Sequence, residues 1–396
     1  MNNTAKRAKK TYEEVNRRLR ALGLVFFLNG WEEESMPPAA KPYRNGQLVE
    51  LSAMEYELRT GKKYMNSINT LYENRADLDP VLRHEIEGVK RDTDKLAKIP
   101  KEEYLAYQNV LLECYPLKFV EAKTSGSFAP VKPYLKSVIA YNKRYAEWEQ
   151  TDELKGYDVL LDEYEKGMTA KKYDEFFGLI KRELVPFIRR VLDSQKPVHP
   201  AFKTRTFSIE KQKKFCEYLG EVMLFDKTKT KMGESEHPYT NNNGNCDVRI
   251  TNHYYESDLA SAIFSAIHEM GHALYELQLS DGLQDTMSGG GASMALHESQ
   301  SRFFENNVGR SRQFWQRHFP VLKDIFKEEL EGVTCDDFVH YINHAEAGFI
   351  RTEADELTYP LHVLIRYEME KAMFEGTVDE ENAEEVWNAK YKEYLG

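Results

Sequence analysis

The segment that most restricts how this chain can fold is an amphipathic helix predicted at residues 257–277. Its apolar residues recur at helical spacing, with Ser257 as the predicted N-cap and Asp258 favourable in the first turn. The helix contains the sequence HEMGH, so His268 and His272 are four residues apart and share one face. Such a helix must bury its apolar side against other elements, which leaves the two histidines at the edge of the buried surface.

Two imidazoles at this spacing can bind one Zn²⁺ ion through nitrogen at about 2.0–2.1 Å. Glu269 lies about 100° further round the helix, where it can contact a water at the metal without being a ligand. The alternative interpretation is an ordinary helix with two polar histidines at its edge. The glutamate between the histidines and the apolar helix around them favour the metal site.

A catalytic zinc site needs a third protein ligand and one open position. The metzincin pattern would place Gly and His at the positions of Tyr275 and Gln278, so that class is excluded. Glu276 lies one turn further along the same helix, too close to complete a tetrahedral site easily.

The remaining candidates for the third ligand lie beyond the Gly-rich connection at 281–293. Ser293 can cap a helix there, and Glu298 and Glu305 lie on or after it. We favour Glu298, because a short connection lets the two helices pack as neighbours. A glutamate on an exposed helix surface is the alternative interpretation.

Composition excludes several other classes of protein. The net charge of −11 and pI of about 5.6 argue against a nucleic-acid partner, which would require a clustered basic face. The chain has no apolar run of membrane-spanning length and no secretory signal, so we expect no membrane partner and a cytoplasmic location. Its scattered cysteines suit neither disulfides nor a thiolate zinc site: Cys114, Cys216, Cys246 and Cys335.

Most of the chain has helical period, which predicts a mainly α fold. The helix predicted over 168–194 contains Pro186, which we expect to kink or end it. The segment 246–255 alternates apolar and polar residues and predicts a short strand or hairpin. A Pro-containing stretch at 195–202 separates an N-terminal helical half, 1–200, from a metal-binding half, 201–396, within one intertwined domain.

Five short motifs occur in the order in which they are found in one known family. They are HPY at 237–239, DVRIT at 247–251, HEMGH at 268–272, HESQ at 297–300 and IRTEAD at 350–355. Two earlier segments, GWEEESMPP and YDVLLDEYEKGM, extend the agreement over nearly the whole chain. In these motifs the sequence resembles the M32 metallocarboxypeptidases of the carboxypeptidase Taq type. Tyr239 is a mild departure, since the family has Phe there.

The resemblance implies a gluzincin with a helical, saddle-like body, a deep cleft and a small sheet beside it. It implies His268, His272 and Glu298 as ligands of one zinc ion, for which Co²⁺ could substitute. Glu269 would be the general base in hydrolysis of the C-terminal peptide bond of a peptide. The family also implies a homodimer for the complete protein.

A carboxypeptidase must recognise a free C-terminal carboxylate, which a guanidinium binds through two parallel hydrogen bonds. Arg351 is the first candidate, because it lies in a matched motif, and Arg249 is the second. Either arginine could instead form a structural ion pair with a nearby acid. His237 and Tyr239 are expected to line the cleft, with His237 as a possible stabiliser of the oxyanion.

Glu353 and Asp355 are expected to orient the metal-binding histidines through their second nitrogen atoms. Members of the family continue beyond the segment that matches residues 387–396 with a Gly-x-x-Gln-Asp-x-His-Trp motif. The sequence is therefore expected to be a C-terminally incomplete member. A zinc endo-oligopeptidase and an inactive metal-binding fragment are the alternatives to a carboxypeptidase.

Overall fold

The computed structural model describes residues 1–33 and 35–396, without the side chains at positions 115 and 116. Glu34, in the GWEEESMPP segment, lies outside the described residues. The described chain is mostly helical, with one small three-stranded sheet, which confirms the predicted mainly α fold. No helix in the described ranges is long and apolar enough to cross a membrane.

The chain forms two compact units, each assembled from separate stretches of sequence. The first contains Met1–Ala170, Gly282–Gly289 and Met369–Val386, and the second contains Lys171–Asp281, Gly290–Glu368 and Trp387–Gly396. The division into residues 1–200 and 201–396 concerns the two halves of a cleft, and it stays a prediction.

The first eight helices belong to the first unit. They are α1 Asn3–Glu32, α2 Lys41–Thr60, α3 Lys62–Glu73, α4 Pro80–Lys98, α5 Lys101–Glu113, α6 Val120–Ser125, α7 Lys132–Glu149 and α8 Tyr157–Tyr164. Helices α1, α3 and α4 share an apolar core. Within it the rings of Tyr12 and Tyr64 stack, and the Tyr12 hydroxyl donates a 2.6 Å hydrogen bond to the buried carboxylate of Glu85.

The next seven helices lie in the second unit, apart from the first residue of α9. They are α9 Ala170–Ser194, α10 Ala201–Thr204, α11 Ile209–Val222, α12 Leu259–Leu277, α13 Met294–Arg302, α14 Arg312–Ile325 and α15 Cys335–Ile342. Two further helices, α16 Tyr359–Glu375 and α17 Ala383–Tyr394, contribute residues to both units. Helix α9 continues through Pro186 to Ser194, so the possibility that it ends at Pro186 was wrong.

Helix α12, which was predicted at 257–277, runs through the core of the second unit. Most of its residues are buried, and α11, α14 and α15 contribute the apolar side chains around them. Its N-cap is Asp258, whose Oδ1 accepts hydrogen bonds from the amides of Ala260 and Ser261. The prediction that Ser257 is the N-cap was therefore wrong by one residue, since Asp258 caps the helix. The same oxygen accepts a 2.7 Å hydrogen bond from the Tyr341 hydroxyl, which ties the start of α12 to α15.

The sheet has the order β1-β3-β2, with β1 Thr230–Glu234, β2 Thr240–Asn242 and β3 Val248–Asn252. Strands β2 and β3 form an antiparallel pair, so the predicted extended segment is the second strand of a hairpin. Strand β1 pairs in parallel with β3 and was not predicted. Val248 and Ile250 are fully buried, as their alternation with polar residues indicated.

Candidate metal centre

Close packing of α12 and α13 brings the motif histidines next to Glu298. Gly271, between the two histidines, lies in close contact with α13. A Cβ atom added there would lie 2.8 Å from the Cα of Ser301, on α13. Ser293 caps α13 as predicted, with its Oγ accepting a hydrogen bond from the Leu296 amide. Glu298 lies on the same helix, and its carboxylate reaches the histidines of α12.

The three predicted ligands present their donor atoms to one point. The Nε2 atoms of His268 and His272 lie 3.7 and 3.4 Å from the Oε2 atom of Glu298. All three donor atoms are within 4.8 Å of one another. Donors of a tetrahedral zinc ion with bonds near 2.0–2.1 Å are separated by about 3.4 Å. The set of donors and their spacing therefore fit one divalent ion.

Charge around Glu298 keeps its carboxylate ionised. Burial alone would raise its pKa, but the neighbouring imidazoles of His272 and His268 and the guanidinium of Arg302 lower the pKa to about 2. Arg302 donates a 3.0 Å hydrogen bond from Nε to Oε1 of Glu298, which leaves Oε2 directed at the histidines. An ionised oxygen aimed at two imidazole nitrogens is the arrangement that a cation requires.

His268 is held by a second buried carboxylate, that of Glu305. Its Nδ1 lies 2.7 Å from Oε2 of Glu305, which is 7% exposed. Burial alone would raise the pKa of Glu305, but the hydrogen bond from His268 and the charge of Arg302 lower it. An ionised carboxylate only accepts hydrogen bonds, so Nδ1 of His268 carries a proton. In the neutral imidazole, Nε2 then keeps a free lone pair.

Glu305 was considered at first as a possible metal ligand and was not recognised as a support. It lies in the π-helix Phe303–Gly309 that continues from α13. The spacing of seven residues from Glu298 places both acids on nearly the same face of a helix. That spacing was the available sequence signal for this role.

His272 is held differently, through a second imidazole. Its Nδ1 lies 2.6 Å from Nδ1 of His297, and Nε2 of His297 lies 2.7 Å from Oε1 of Glu276. Glu276, which was judged too close along the helix to complete a tetrahedral site easily, is 3% exposed and accepts a second hydrogen bond from the side-chain amide of Asn242. Sequence reasoning did not identify this contact chain.

Glu269 lies near the three ligands, and its carboxylate contacts strand β2. Its Oε2 accepts a 2.5 Å hydrogen bond from the Thr240 hydroxyl. Burial raises the pKa of Glu269, although the neighbouring imidazole of His268 and the Thr240 hydrogen bond oppose this. A buried carboxylate with a raised pKa, one residue from a metal ligand, is suited to accept and return a proton. Thr240 is 29 residues away in sequence, and no local pattern indicated the contact.

Arg351 is linked to a predicted metal ligand, Glu298, through three successive contacts. Its Nη1 donates a 2.6 Å hydrogen bond to the hydroxyl of Tyr359. The ring of Tyr359 lies under the guanidinium of Arg302, at 3.7 Å from its centroid, and Arg302 binds Glu298. Among the described residues, no carboxylate forms an ion pair with Arg351. Its positive charge is therefore available for a carboxylate from outside the chain.

Arg249, the second candidate for that role, forms a two-point contact with a neighbouring acid. Its Nε and Nη2 atoms donate hydrogen bonds of 2.7 and 2.8 Å to the two carboxylate oxygens of Asp247. This geometry favours the structural interpretation that was left open for Arg249.

His237 and Tyr239 lie in the segment just before strand β2. Desolvation and the charge of Arg351 lower the pKa of His237, so its imidazole is neutral near pH 7. The amide and carbonyl of Tyr239 pair with Thr251 on β3. His237 is thus placed in the field of Arg351, whereas the structure gives Tyr239 a role in the hairpin.

Glu353 and Asp355, the predicted supports of the histidines, contact other groups. Glu353 forms a hydrogen bond with Ser261 in the first turn of α12. Asp355 accepts hydrogen bonds from the Glu346 amide and from the Thr358 hydroxyl. The second nitrogen atoms of the two motif histidines are occupied by Glu305 and His297 instead.

The close approach at Gly271 leads to a stability prediction. In Gly271→Ala the new methyl would overlap the backbone of α13, so the helices must separate. We expect a loss of about 1–3 kcal/mol in the free energy of unfolding, and weaker metal binding. Gly178→Ala in α9, where a Cβ meets nothing within 4 Å, is the matched control and should be neutral or stabilising. Thermal unfolding measures both, and equal melting temperatures for the two variants would contradict the packing argument.

Comparison with known proteins identifies the family. Residues 11–396 match the family model described as carboxypeptidase Taq (M32) metallopeptidase. The chain belongs to the M32 carboxypeptidase family. Carboxypeptidase 1 of Bacillus subtilis is 35% identical over 98% of this chain and 77% of its own length. The M32 carboxypeptidase of Deinococcus radiodurans has a similar structure, with a TM-score of 0.88 at 31% identity, over 98% of this chain and 78% of that one.

A further structure, metallocarboxypeptidase 1 of Trypanosoma cruzi, matches with a TM-score of 0.87 at 29% identity. That match covers 98% of this chain and 78% of the Trypanosoma protein. Membership confirms the recognised family, the fold class and the prediction that the protein is a metallocarboxypeptidase. It also supports a divalent metal and peptide substrates at this coarser level.

Proposed function

We propose that this M32 member removes the C-terminal residue of peptides with a zinc ion held by His268, His272 and Glu298. The observation that carries the proposal is the convergence of two Nε2 atoms and one carboxylate oxygen beside the buried carboxylate of Glu269. A zinc ion bound there would polarise the scissile carbonyl and lower the pKa of a water molecule to about 7.

The residues of the chain supply the proton transfers and the orientation. Glu269 takes the proton of the attacking water and delivers it to the leaving amine, a role that its raised pKa favours. Thr240 holds one oxygen of that carboxylate and leaves the other free for the proton. His237, neutral and close to the positive charge of Arg351, donates a hydrogen bond to the developing oxyanion.

Arg351 is the residue proposed to bind the terminal carboxylate of the peptide. Its guanidinium keeps donor groups in excess of the one that binds Tyr359, so it can form two parallel bonds to a carboxylate. Arg249 is the weaker candidate, since Asp247 already occupies the equivalent donors. Successive contacts from Arg351 through Tyr359 and Arg302 to Glu298 hold the Arg351 guanidinium in place relative to the metal ligands.

The metal requirement is the first test of this function. Protein stripped with a chelator should hydrolyse no peptide, and one equivalent of Zn²⁺ should restore hydrolysis. Co²⁺ is expected to restore it as well, because the same ligand types suit both ions. Glu298→Gln should reduce the bound metal measured by elemental analysis. Full activity of the stripped protein would contradict the proposal.

Thr240 provides a more selective test of the general base. Thr240→Val removes the hydroxyl that orients Glu269 and keeps the shape of the side chain. We expect kcat to fall about 2- to 10-fold, the effect of one hydrogen bond of about 0.5–1.5 kcal/mol. Thr240→Ser retains the hydroxyl and should stay close to wild type. Equal kcat values for Val and Ser variants would contradict this role.

Finer features of the proposal follow from the family resemblance. Zn²⁺ as the native metal, a homodimer of the complete protein and a cytoplasmic location stay predictions. A zinc endo-oligopeptidase would share the metal ligands but would not need Arg351. The guanidinium of Arg351, which forms no ion pair with a carboxylate among the described residues, is the observation that favours the exopeptidase.

A further inference from the structure

The second nitrogen of His272 meets another histidine, whereas that of His268 meets a carboxylate. A histidine partner can either donate or accept a hydrogen bond, so it does not by itself decide which nitrogen of His272 carries the proton. Only one of the two arrangements leaves Nε2 of His272 free for a metal ion. The group beyond His297 therefore bears on which nitrogen of His272 carries the proton.

We propose that His297 is a positioning residue. Its hydrogen bond to the Glu276 carboxylate fixes which nitrogen of His297 accepts from His272, and so keeps Nε2 of His272 unprotonated. The inference rests on the proposed metal site and deepens it. The steps follow from the contacts. The Glu276 carboxylate can only accept, so Nε2 of a neutral His297 carries its proton. Nδ1 of His297 then accepts, and Nδ1 of His272 must be the donor. The remaining lone pair of His272, on Nε2, faces Oε2 of Glu298 at 3.4 Å.

The carboxylate at the far end of this chain is itself fixed. Glu276 is 3% exposed, and its other oxygen accepts a 3.0 Å hydrogen bond from the Asn242 side chain. Asn242 lies on β2, two residues after Thr240, which holds Glu269. Strand β2 thus holds both Glu269, the proposed general base, and Glu276, which contacts His272 through His297.

The ring of His297 is confined by its neighbours. A Cβ atom at Gly291 would lie 2.5 Å from Cδ2 of His297, so the Gly-rich connection covers the ring directly. On another side, the Tyr275 ring makes an edge contact with His297 at 5.3 Å, and the Tyr275 hydroxyl accepts a hydrogen bond from the Ala292 amide. The glycine at 291 is therefore required by the position of the imidazole.

Zinc affinity of the stripped protein, measured by competition with a chromogenic chelator at one fixed pH, is the first readout. His297→Phe should bind Zn²⁺ about 10- to 100-fold more weakly than wild type. His297→Gln should restore most of the affinity, since one amide can accept from His272 and donate to Glu276. Gly291→Ala, which leaves every polar group in place but displaces the ring, should resemble His297→Phe. Equal affinity of wild type and His297→Phe would overturn the proposal.

The tautomer of His272 is the second readout, and it needs no folded variant of His297. In wild-type stripped protein with ¹⁵N-labelled histidine, the His272 resonances should show a protonated Nδ1 and an unprotonated Nε2. The His297 resonances should show the reverse. The His272→Ala variant assigns the signals. A protonated Nε2 on His272 would overturn the proposed positioning role of His297.

The two readouts separate this inference from the proposed function. If wild-type protein fails to bind Zn²⁺ at all, the metal site itself is wrong. If wild type binds Zn²⁺ tightly and His297→Phe binds it equally well, only the positioning role of His297 fails.

Discussion

Glu269→Gln is expected to retain its metal and to lose nearly all hydrolysis. Glutamine keeps the size and the Thr240 contact of the side chain, but it cannot accept the proton of water. General-base catalysis contributes about 10²- to 10⁴-fold to rate, so kcat should fall by that factor. Glu269 is not one of the three converging donors, and so the metal content should stay at the wild-type level.

The control for this variant is Glu256→Gln, an exposed glutamate before α12. It makes the same chemical change outside the site and should have wild-type kcat. Metal content and steady-state rates are measured on the same preparations of all three proteins. Full activity of Glu269→Gln would show that another group accepts the proton.

Arg351→Met is expected to weaken hydrolysis of peptides that end in a free carboxylate. Methionine keeps an unbranched side chain and removes the charge. Loss of one partner from a desolvated charged pair costs about 2–4 kcal/mol, so kcat/KM should fall about 30- to 1,000-fold. Metal affinity should not change, because Arg351 contacts Tyr359 and none of the metal ligands.

The control for Arg351 is Arg317→Met on α14, which removes an equivalent charge from an exposed position. Arg249→Met tests the second candidate, and we expect it to reduce stability through Asp247 more than it reduces kcat/KM. A large loss of kcat/KM in Arg249→Met, with Arg351→Met unchanged, would show that Arg249 and not Arg351 binds the terminal carboxylate.

Local sequence was enough to place the helix with the two histidines and the helix with Glu298. Helical spacing put His268 and His272 on one face, and Ser293 marked the start of α13. The third donor could be narrowed to two glutamates because a short connection keeps the two helices close in space. These features depend on neighbours along the chain, which is why the sequence shows them.

The contacts that support the site depend on residues distant in sequence. Thr240 reaches Glu269 from a three-residue strand, and Asn242 reaches Glu276 across 34 positions. Strand β1 pairs in parallel, so its partner is reached through a connection and not through a tight turn. Pro186 was expected to kink or end α9, but the helix continues to Ser194. Side chains on both sides of the proline, Phe177 and Ile188, are buried, and such tertiary packing stabilises a helix more than local propensity does.

The measurement that tests the central claim most directly compares two forms of one peptide, with a free C-terminal carboxylate and with a C-terminal amide. Mass spectrometry of timed samples with the zinc-loaded protein follows the products. The proposed carboxypeptidase should shorten the free acid by one residue at a time from its C-terminus and leave the amide intact. Cleavage of both forms at the same internal bond would contradict the claim and indicate an endopeptidase, and absence of any cleavage by protein with one bound zinc would indicate an inactive metal-binding chain.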